Sequence, residues 1–267
     1  IYFAETIGNP GLDVTDIKAL ADTAHEQGIP LVIDNTAATA FLVKPLSHGA
    51  DIVVNSTSKY INGNSNSISG VITDSGKFKW DVTRYPGMKE YAKFGPFAFT
   101  AKLRNSLFRN TGACLSPQNA FYNIIGMETL GLRMERACSN AQKLAEYIAA
   151  TYPQIKVNYP GLSDSPWNGI ARKQFNGYYG GILTLRMGSR EKAFGLINAL
   201  KLPLKVSNIG DTKTLVIHPE STISAHSTEE QKKAAGVFTD LVRVSVGIED
   251  IEDLISDFEE AILSQEA

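Results

Sequence analysis

Between residue 1 and about residue 75 the chain alternates short apolar runs with one amphipathic stretch, and this alternation restricts the fold more than any single residue does. It is the pattern of parallel strands joined by helical crossovers. Asp13 precedes the run Val14–Ala21, Ile17, Leu20, Ala21 and Ala24 share one face, and Gly28 stands just past the end, so a capped helix is predicted. The strand Pro30-Leu31-Val32-Ile33-Asp34 follows, then Asp51-Ile52-Val53-Val54-Asn55, then Gly70-Val71-Ile72-Thr73 before a turn at Ser75-Gly76. The expected architecture is α/β, with a large, mostly parallel sheet. In open sheets of this kind ligands bind beyond the C-terminal strand ends.

Residues from about 80 to 112 mix aromatic, basic and Pro/Gly positions, with Phe94-Gly95-Pro96-Phe97 as the strongest loop signal, and read as a surface insertion with short helices. From Pro117 to about Thr151 apolar residues keep helical spacing for longer than one ordinary helix, which predicts a long helix, bent near Gly126 or Gly131, linking two domains. After Tyr152-Pro153 the pattern resets. Strands are predicted at Lys156–Tyr159, Gly181–Leu185 and Leu241–Ser245, with helices near 189–200 and 249–264. The division expected is 1–150, the C-terminal part of a ligand-binding domain with its linking helix, and 151–267, a smaller C-terminal α/β domain.

Composition narrows the partners. With 26 basic against 28 acidic residues there is no positive excess to hold nucleic acid or an anionic membrane, so a small molecule is favoured. Two cysteines, Cys114 and Cys138, form neither a metal knuckle nor a disulfide framework, which suits a reducing cytoplasm. No apolar stretch reaches the roughly 20 residues needed to cross a bilayer. The chain begins inside what reads as a strand, Ile1-Tyr2-Phe3-Ala4, and is expected to be part of a longer protein.

Two residues carry most of the chemistry. Lys59 closes the run Asn55-Ser56-Thr57-Ser58-Lys59, and Asp34 closes the second strand. A lysine amine can bond covalently to an aldehyde cofactor while a carboxylate keeps a pyridine ring protonated, which suits pyridoxal-phosphate chemistry. Ser56 and Ser58 can donate hydrogen bonds to a phosphate. The plainer alternatives are a solvated lysine in a polar turn, and an aspartate capping Asn35-Thr36. Asn9-Pro10 reads either as a structural turn or as an amide donor to a ring oxygen. Arg243, alone in Leu241-Val242-Arg243-Val244-Ser245, either grips a carboxylate from a cleft or marks the polar side of an alternating strand. The four histidines lack zinc spacing, no nucleophile elbow is present, and His218 and His226 read as structural or as an active-site rim.

Several segments together resemble the Cys/Met-metabolism family of pyridoxal-phosphate enzymes: Glu5–Pro10, Val32–Thr36, Asn55–Tyr60, Ile217–Thr222 and Leu241–Asp250. Asn9, Asp34 and Lys59 are evenly spaced along the chain, as in that family. The resemblance implies a fold-type I pyridoxal-phosphate transferase whose cofactor is pyridoxal 5'-phosphate. By it Lys59 is the Schiff-base lysine, Asp34 pairs with the pyridinium nitrogen, Asn9 faces the ring oxygen, and Ser56 and Ser58 bind phosphate. Asn208 and Arg243 would hold the substrate carboxylate. Gly210–Pro219 and the aromatic insertion look most like the O-acetylhomoserine sulfhydrylase branch, which makes homocysteine from an amino-acid-derived substrate and sulfide. The alternatives are methionine γ-lyase, cystathionine γ-synthase or lyase chemistry, and a catalytically silent fragment that only assembles with a partner. The resemblance further implies an N-terminal segment absent from this chain and a homotetramer built from dimers. Departures from the family pattern are Asn55, Ser58 and the stretch Asn62-Gly63-Asn64-Ser65-Asn66-Ser67, where the family has a histidine, a threonine and a glycine-rich stretch respectively.

Overall fold

A computed structural model describes residues 1–265. β1 (Tyr2–Glu5) leads through α1 (Ile17–Glu26) to β2 (Leu31–Asp34), and α2 (Thr39–Leu42) leads to β3 (Ile52–Ser56) and β4 (Gly70–Asp74). The strands form one sheet in sequence order; β1, β2 and β3 run parallel and β4 runs antiparallel to β3. The reversal at β4 has a local cause: residues 57–69 contain no helix to carry the chain back over the sheet, so the strand returns directly. Helix α1 starts later than Asp13. Val14 is held extended by a bridge to Ile7, and Asp16 becomes the cap, accepting from the Ala19 N–H at 3.0 Å. Ile17, Ala21 and Ala24 are buried, as the periodicity predicts.

The outer strands leave apolar side chains exposed, Tyr2 and Phe3 on β1 and Val71 and Ile72 on β4. The insertion carries α3 (Ala98–Lys102) and α4 (Arg109–Thr111). It is tied to the turn after α1, where Arg84 donates to the Gln27 carbonyl and the Tyr85 hydroxyl to the Gly28 carbonyl, and Trp80 stacks on Phe99.

The predicted long helix is two helices, α5 (Pro117–Glu128) and α6 (Leu130–Thr151), broken at Thr129 between the two glycines. Then come β5 (Lys156–Asn158), α7 (Asn168–Gln174), β6 (Ile182–Arg186), α8 (Arg190–Ala199), β7 (Leu215–Ile217), α9 (Glu229–Ala234), β8 (Leu241–Ser245) and α10 (Ile251–Leu263). The four strands form a second sheet, β5-β6-β8-β7, with every pair antiparallel. The two faces of this sheet differ. Leu183, Leu185, Val242 and Val244 pack with Leu144, Ile148, Leu196 and Phe258 of α6, α8 and α10. Complete burial of Phe258 alone contributes roughly 2–3 kcal/mol. The alternate positions, with Thr184 opposite Arg243 and Leu215 opposite Ser245, turn to the other face. Ile182 on that face joins the core of the first sheet, with Ile7, Leu12, Ile33 and Tyr60.

Candidate active site at the strand ends

β2 ends at Asp34 and β3 at Ser56, both at the C-terminal edge of the parallel strands. The two ends are stitched together. One Asp34 carboxylate oxygen accepts from the Thr36 N–H at 2.9 Å, and the Thr36 hydroxyl oxygen accepts from the Ser56 N–H at 2.8 Å. Asp34 therefore does cap the turn, with one oxygen, while its other oxygen has no hydrogen-bond partner among the described residues.

After Ser56 the chain turns tightly. The Asn62 N–H reaches back to the Thr57 carbonyl at 3.0 Å and Gly63 N–H to the Lys59 carbonyl at 2.8 Å, so Lys59 sits on a closed loop rather than a free one. The Lys59 amine donates to Oδ1 of Asn208, which comes from the loop before β7. Burial first, and then the positive charge of Arg243, hold this amine below the ordinary lysine range. Arg243 is 3% exposed. Its Nη1 donates to Asn9 Oδ1 at 2.9 Å and its Nη2 to the Asn208 carbonyl at 3.0 Å, while Nε has no partner. Burial lowers it to about 10. The plainer alternative, a solvated Arg243 on the polar side of its strand, does not hold, because Arg243 is buried on the sheet face turned toward the first sheet. Asn9, with its oxygen committed to Arg243, has amide N–H groups with no hydrogen-bond partner among the described residues.

Lys59, Asn208, Arg243 and Asn9 thus come together, from four separate stretches of sequence. The serines divide. The Ser56 hydroxyl has no partner among the described residues, whereas that of Ser58 closes a ring, donating to the Ser69 carbonyl at 3.2 Å and accepting from the Ser69 N–H at 2.9 Å. His218 takes the structural role: it is buried, bonded to the Thr239 carbonyl at 2.8 Å and to Ser221, and packed against Phe194.

Sequence inspection passed over the residues that brace the lysine loop from behind. Arg133 of α6 donates to the carbonyls of Tyr60 at 2.6 Å, Ile61 at 3.2 Å and Gly126 at 2.6 Å, and to the Thr129 hydroxyl at 3.0 Å. Asn123 of α5 donates to Ser69 Oγ at 2.8 Å and Thr57 Oγ1 at 3.3 Å. Two glycines make room for this. A Cβ on Gly63, whose φ is +79°, would lie 2.3 Å from the Arg133 guanidinium, and one on Gly126 would lie 2.4 Å from the Ile61 carbonyl oxygen. The available signal was Arg133 itself, a cation within a mostly apolar helical stripe.

A cleft of about 560 Å³ lies away from Lys59, between Gly11, Trp167, Arg186 and Phe238. Arg186 there is already paired with Asp240 and stacked on Phe238. A smaller one of about 290 Å³, lined by Glu5, Gly8, Asn9 and Asp13, approaches the lysine group from the Asn9 side. Volume and chemistry point to different places, and the converging polar groups around Lys59, rather than either cleft, mark the candidate site.

The family model for Cys/Met metabolism PLP-dependent enzymes matches residues 1–263. The chain belongs to this family. Among its relatives, the O-acetyl-L-homoserine sulfhydrylase of Corynebacterium glutamicum is 44% identical over 97% of this chain and 62% of its own length. A protein from Campylobacter jejuni described as an O-acetylhomoserine (thiol)-lyase, solved with N'-pyridoxyl-lysine-5'-monophosphate, superposes with a TM-score of 0.92 at 32% identity, over 98% of this chain and 65% of that one. The O-acetylhomoserine sulfhydrylase of the methionine biosynthetic pathway of Wolinella succinogenes gives a TM-score of 0.84 at 42% identity, over 97% of this chain and 70% of its own. The chain therefore spans less than two thirds of the C. glutamicum relative's length. Family membership carries dependence on pyridoxal phosphate with it.

Proposed function

We propose that the whole protein makes homocysteine from O-acetylhomoserine and sulfide, a γ-replacement with Lys59 as its catalytic base. The observation that carries this is the convergence of Lys59, Asn208, Arg243 and Asn9 at the C-terminal edge of a parallel sheet, together with relatives named for this activity. The residues suit the cofactor. Lys59 offers a half-buried amine, Asp34 a carboxylate with one uncommitted oxygen for the pyridinium nitrogen, and Asn9 a free amide donor for the ring oxygen. Ser56 offers an uncommitted hydroxyl to the phosphate, joined by Ser58 when its hydroxyl turns away from Ser69.

When bound, pyridoxal phosphate supplies an aldehyde that captures the substrate amino group and a protonated ring that accepts electrons from its carbon framework. The protein does the positioning and the proton transfer. Arg243 and Asn208 flank the place of the substrate carboxylate, where the fork of a buried guanidinium fixes orientation as well as charge. Lys59, held below the ordinary lysine range by burial and the Arg243 charge, would take the proton from Cα, hand it on to the bound cofactor and so be free to take a second from Cβ. Loss of that second proton lets acetate leave Cγ, sulfide adds there, and return of both protons through Lys59 completes the replacement. No helix among the described residues is long and apolar enough to cross a membrane. We place the protein in the cytoplasm as a homotetramer built from dimers, in which the exposed Phe121, Ile124 and Ile125 of α5 and Phe97 and Leu107 of the insertion are covered.

The deciding experiment uses the full-length protein with O-acetylhomoserine and sulfide. Homocysteine formation, with borohydride fixing the cofactor on Lys59 and both lost in Lys59→Ala, is the expected result. Production of an α-keto acid in place of homocysteine, or parental turnover by Lys59→Ala, would overturn it.

A further inference from the structure

Ser65 lies in the stretch after the lysine that departs from the family's glycine-rich pattern, and its backbone is unusual. Its φ is +55°, a left-handed conformation that costs an L-residue roughly 1 kcal/mol or more and persists only where surrounding contacts impose it. Its hydroxyl lies between two side chains of the loop before β7, 2.5 Å from Asp211 Oδ2 and 2.8 Å from Asn208 Nδ2. Asn208 in turn presents Oδ1 to the Lys59 amine.

The donors and acceptors in this chain allow one direction only. Asp211 is partly desolvated, which raises its pKa, but hydrogen bonds from Ser65 and the Lys213 N–H, with the Lys213 charge, outweigh that and hold it low. An ionised carboxylate only accepts, so Ser65 must spend its single proton on Asp211. Its oxygen can then only accept, and the partner it accepts from is the nitrogen end of the Asn208 amide. The oxygen end is thereby turned to Lys59. Without Ser65 the two ends of that amide would have no such constraint.

We propose that Ser65 is a positioning residue that locks the Asn208 amide with its carbonyl oxygen, not its nitrogen, toward Lys59, giving the lysine an acceptor whenever its amine is released from the cofactor. This rests on Lys59 being the cofactor lysine, and it sharpens the part played by Asn208: one of its two amide N–H groups is committed to Ser65, leaving at most one for the substrate carboxylate beside the fork of Arg243. The charged groups bearing on the relay are Arg243, facing Lys59 from β8, and Lys213 and Arg133, facing Asp211.

The test follows the Lys59 amine of the full-length, cofactor-free protein by its rate of acylation at fixed pH, read by peptide mass spectrometry. A carbonyl acceptor stabilises the ammonium form, so releasing the amide lowers the Lys59 pKa and speeds labelling. Ser65→Gly and Ser65→Ala should each raise the rate about two- to tenfold, the contribution of one hydrogen bond. Ser65→Gly suits the positive φ and should fold at least as stably as the parent, so a loss of structure does not explain its effect. In an Asn208→Asp background, where both side-chain oxygens accept, Ser65→Gly should no longer change the rate. Unchanged labelling in Ser65→Gly, or an equal rise in the Asn208→Asp background, would overturn the relay. Because labelling needs no cofactor, these outcomes are read separately from borohydride fixation on Lys59, which tests the lysine's role itself.

Discussion

Replacing Gly126 by alanine should impair the enzyme through the lysine loop, although Gly126 touches neither substrate nor cofactor. An added Cβ would lie 2.4 Å from the Ile61 carbonyl oxygen, 2.5 Å from that of Asn62 and 2.9 Å from the Asn62 Cα, where ordinary contact begins at 3.4 Å. All three are backbone atoms, so no side chain can swing aside; the loop must retreat by about 1 Å. Alanine also favours the helix, by about 1 kcal/mol, while overpacking costs about 1–3 kcal/mol, leaving a net destabilisation of up to about 2 kcal/mol. The kinetic effect should be larger than the loss of stability suggests. A displacement of about 1 Å in a catalytic group can cost on the order of 100-fold in rate, and Ile61 is two residues beyond Lys59 and held by Arg133. The assay is kcat/KM of the full-length protein alongside urea denaturation. Gly131→Ala is the control, since a Cβ there meets nothing within 4 Å and should leave turnover intact. Parental turnover in Gly126→Ala, or an equal loss in Gly131→Ala, would refute the reasoning.

Arg243→Lys keeps the charge but loses the fork that spans Asn9 and Asn208, so KM for the amino-acid substrate should rise by roughly 10- to 100-fold with kcat changed less; steady-state kinetics showing the reverse split would remove Arg243 from substrate recognition. The depressed Lys59 pKa also predicts a pH trend in cofactor-free protein. Unfolded lysine keeps its proton to near pH 10.4, whereas the folded amine gives it up earlier, so within that window the unfolded chain binds more protons and stability rises with pH. Urea denaturation of the parent against Lys59→Met should show the parent gaining on the variant as pH rises through the window; a gap moving the other way contradicts the burial of that amine.

Much of the site could be read along the chain because its cofactor side is local to strand ends. Asp34 closes β2, and Lys59 follows β3 on the next turn, so once the α/β alternation is recognised both must emerge at the same edge. The helix and strand patterns of α1, α8, α10 and β8 were legible for the same reason, since each is set by burial on one side of a regular element. Short elements were not: β7 and α7 are too brief to show a period, and the antiparallel return of β4 depends on the length of its connection rather than on its composition.

What the sequence determined by itself was the set of chemical groups and the elements that carry them. Only the tertiary structure decided which groups work together. Asn208 meets Lys59, Arg243 meets Asn9, and Arg133 braces Tyr60 and Ile61 across long stretches of chain, and none of these contacts leaves a periodic trace. The physical reason lies in the kind of force involved. Hydrophobic burial is written into the sequence as periodicity, because it acts on whole faces of helices and strands. Hydrogen bonds are made between single atoms at fixed distance, so their partners are settled only when the faces have packed.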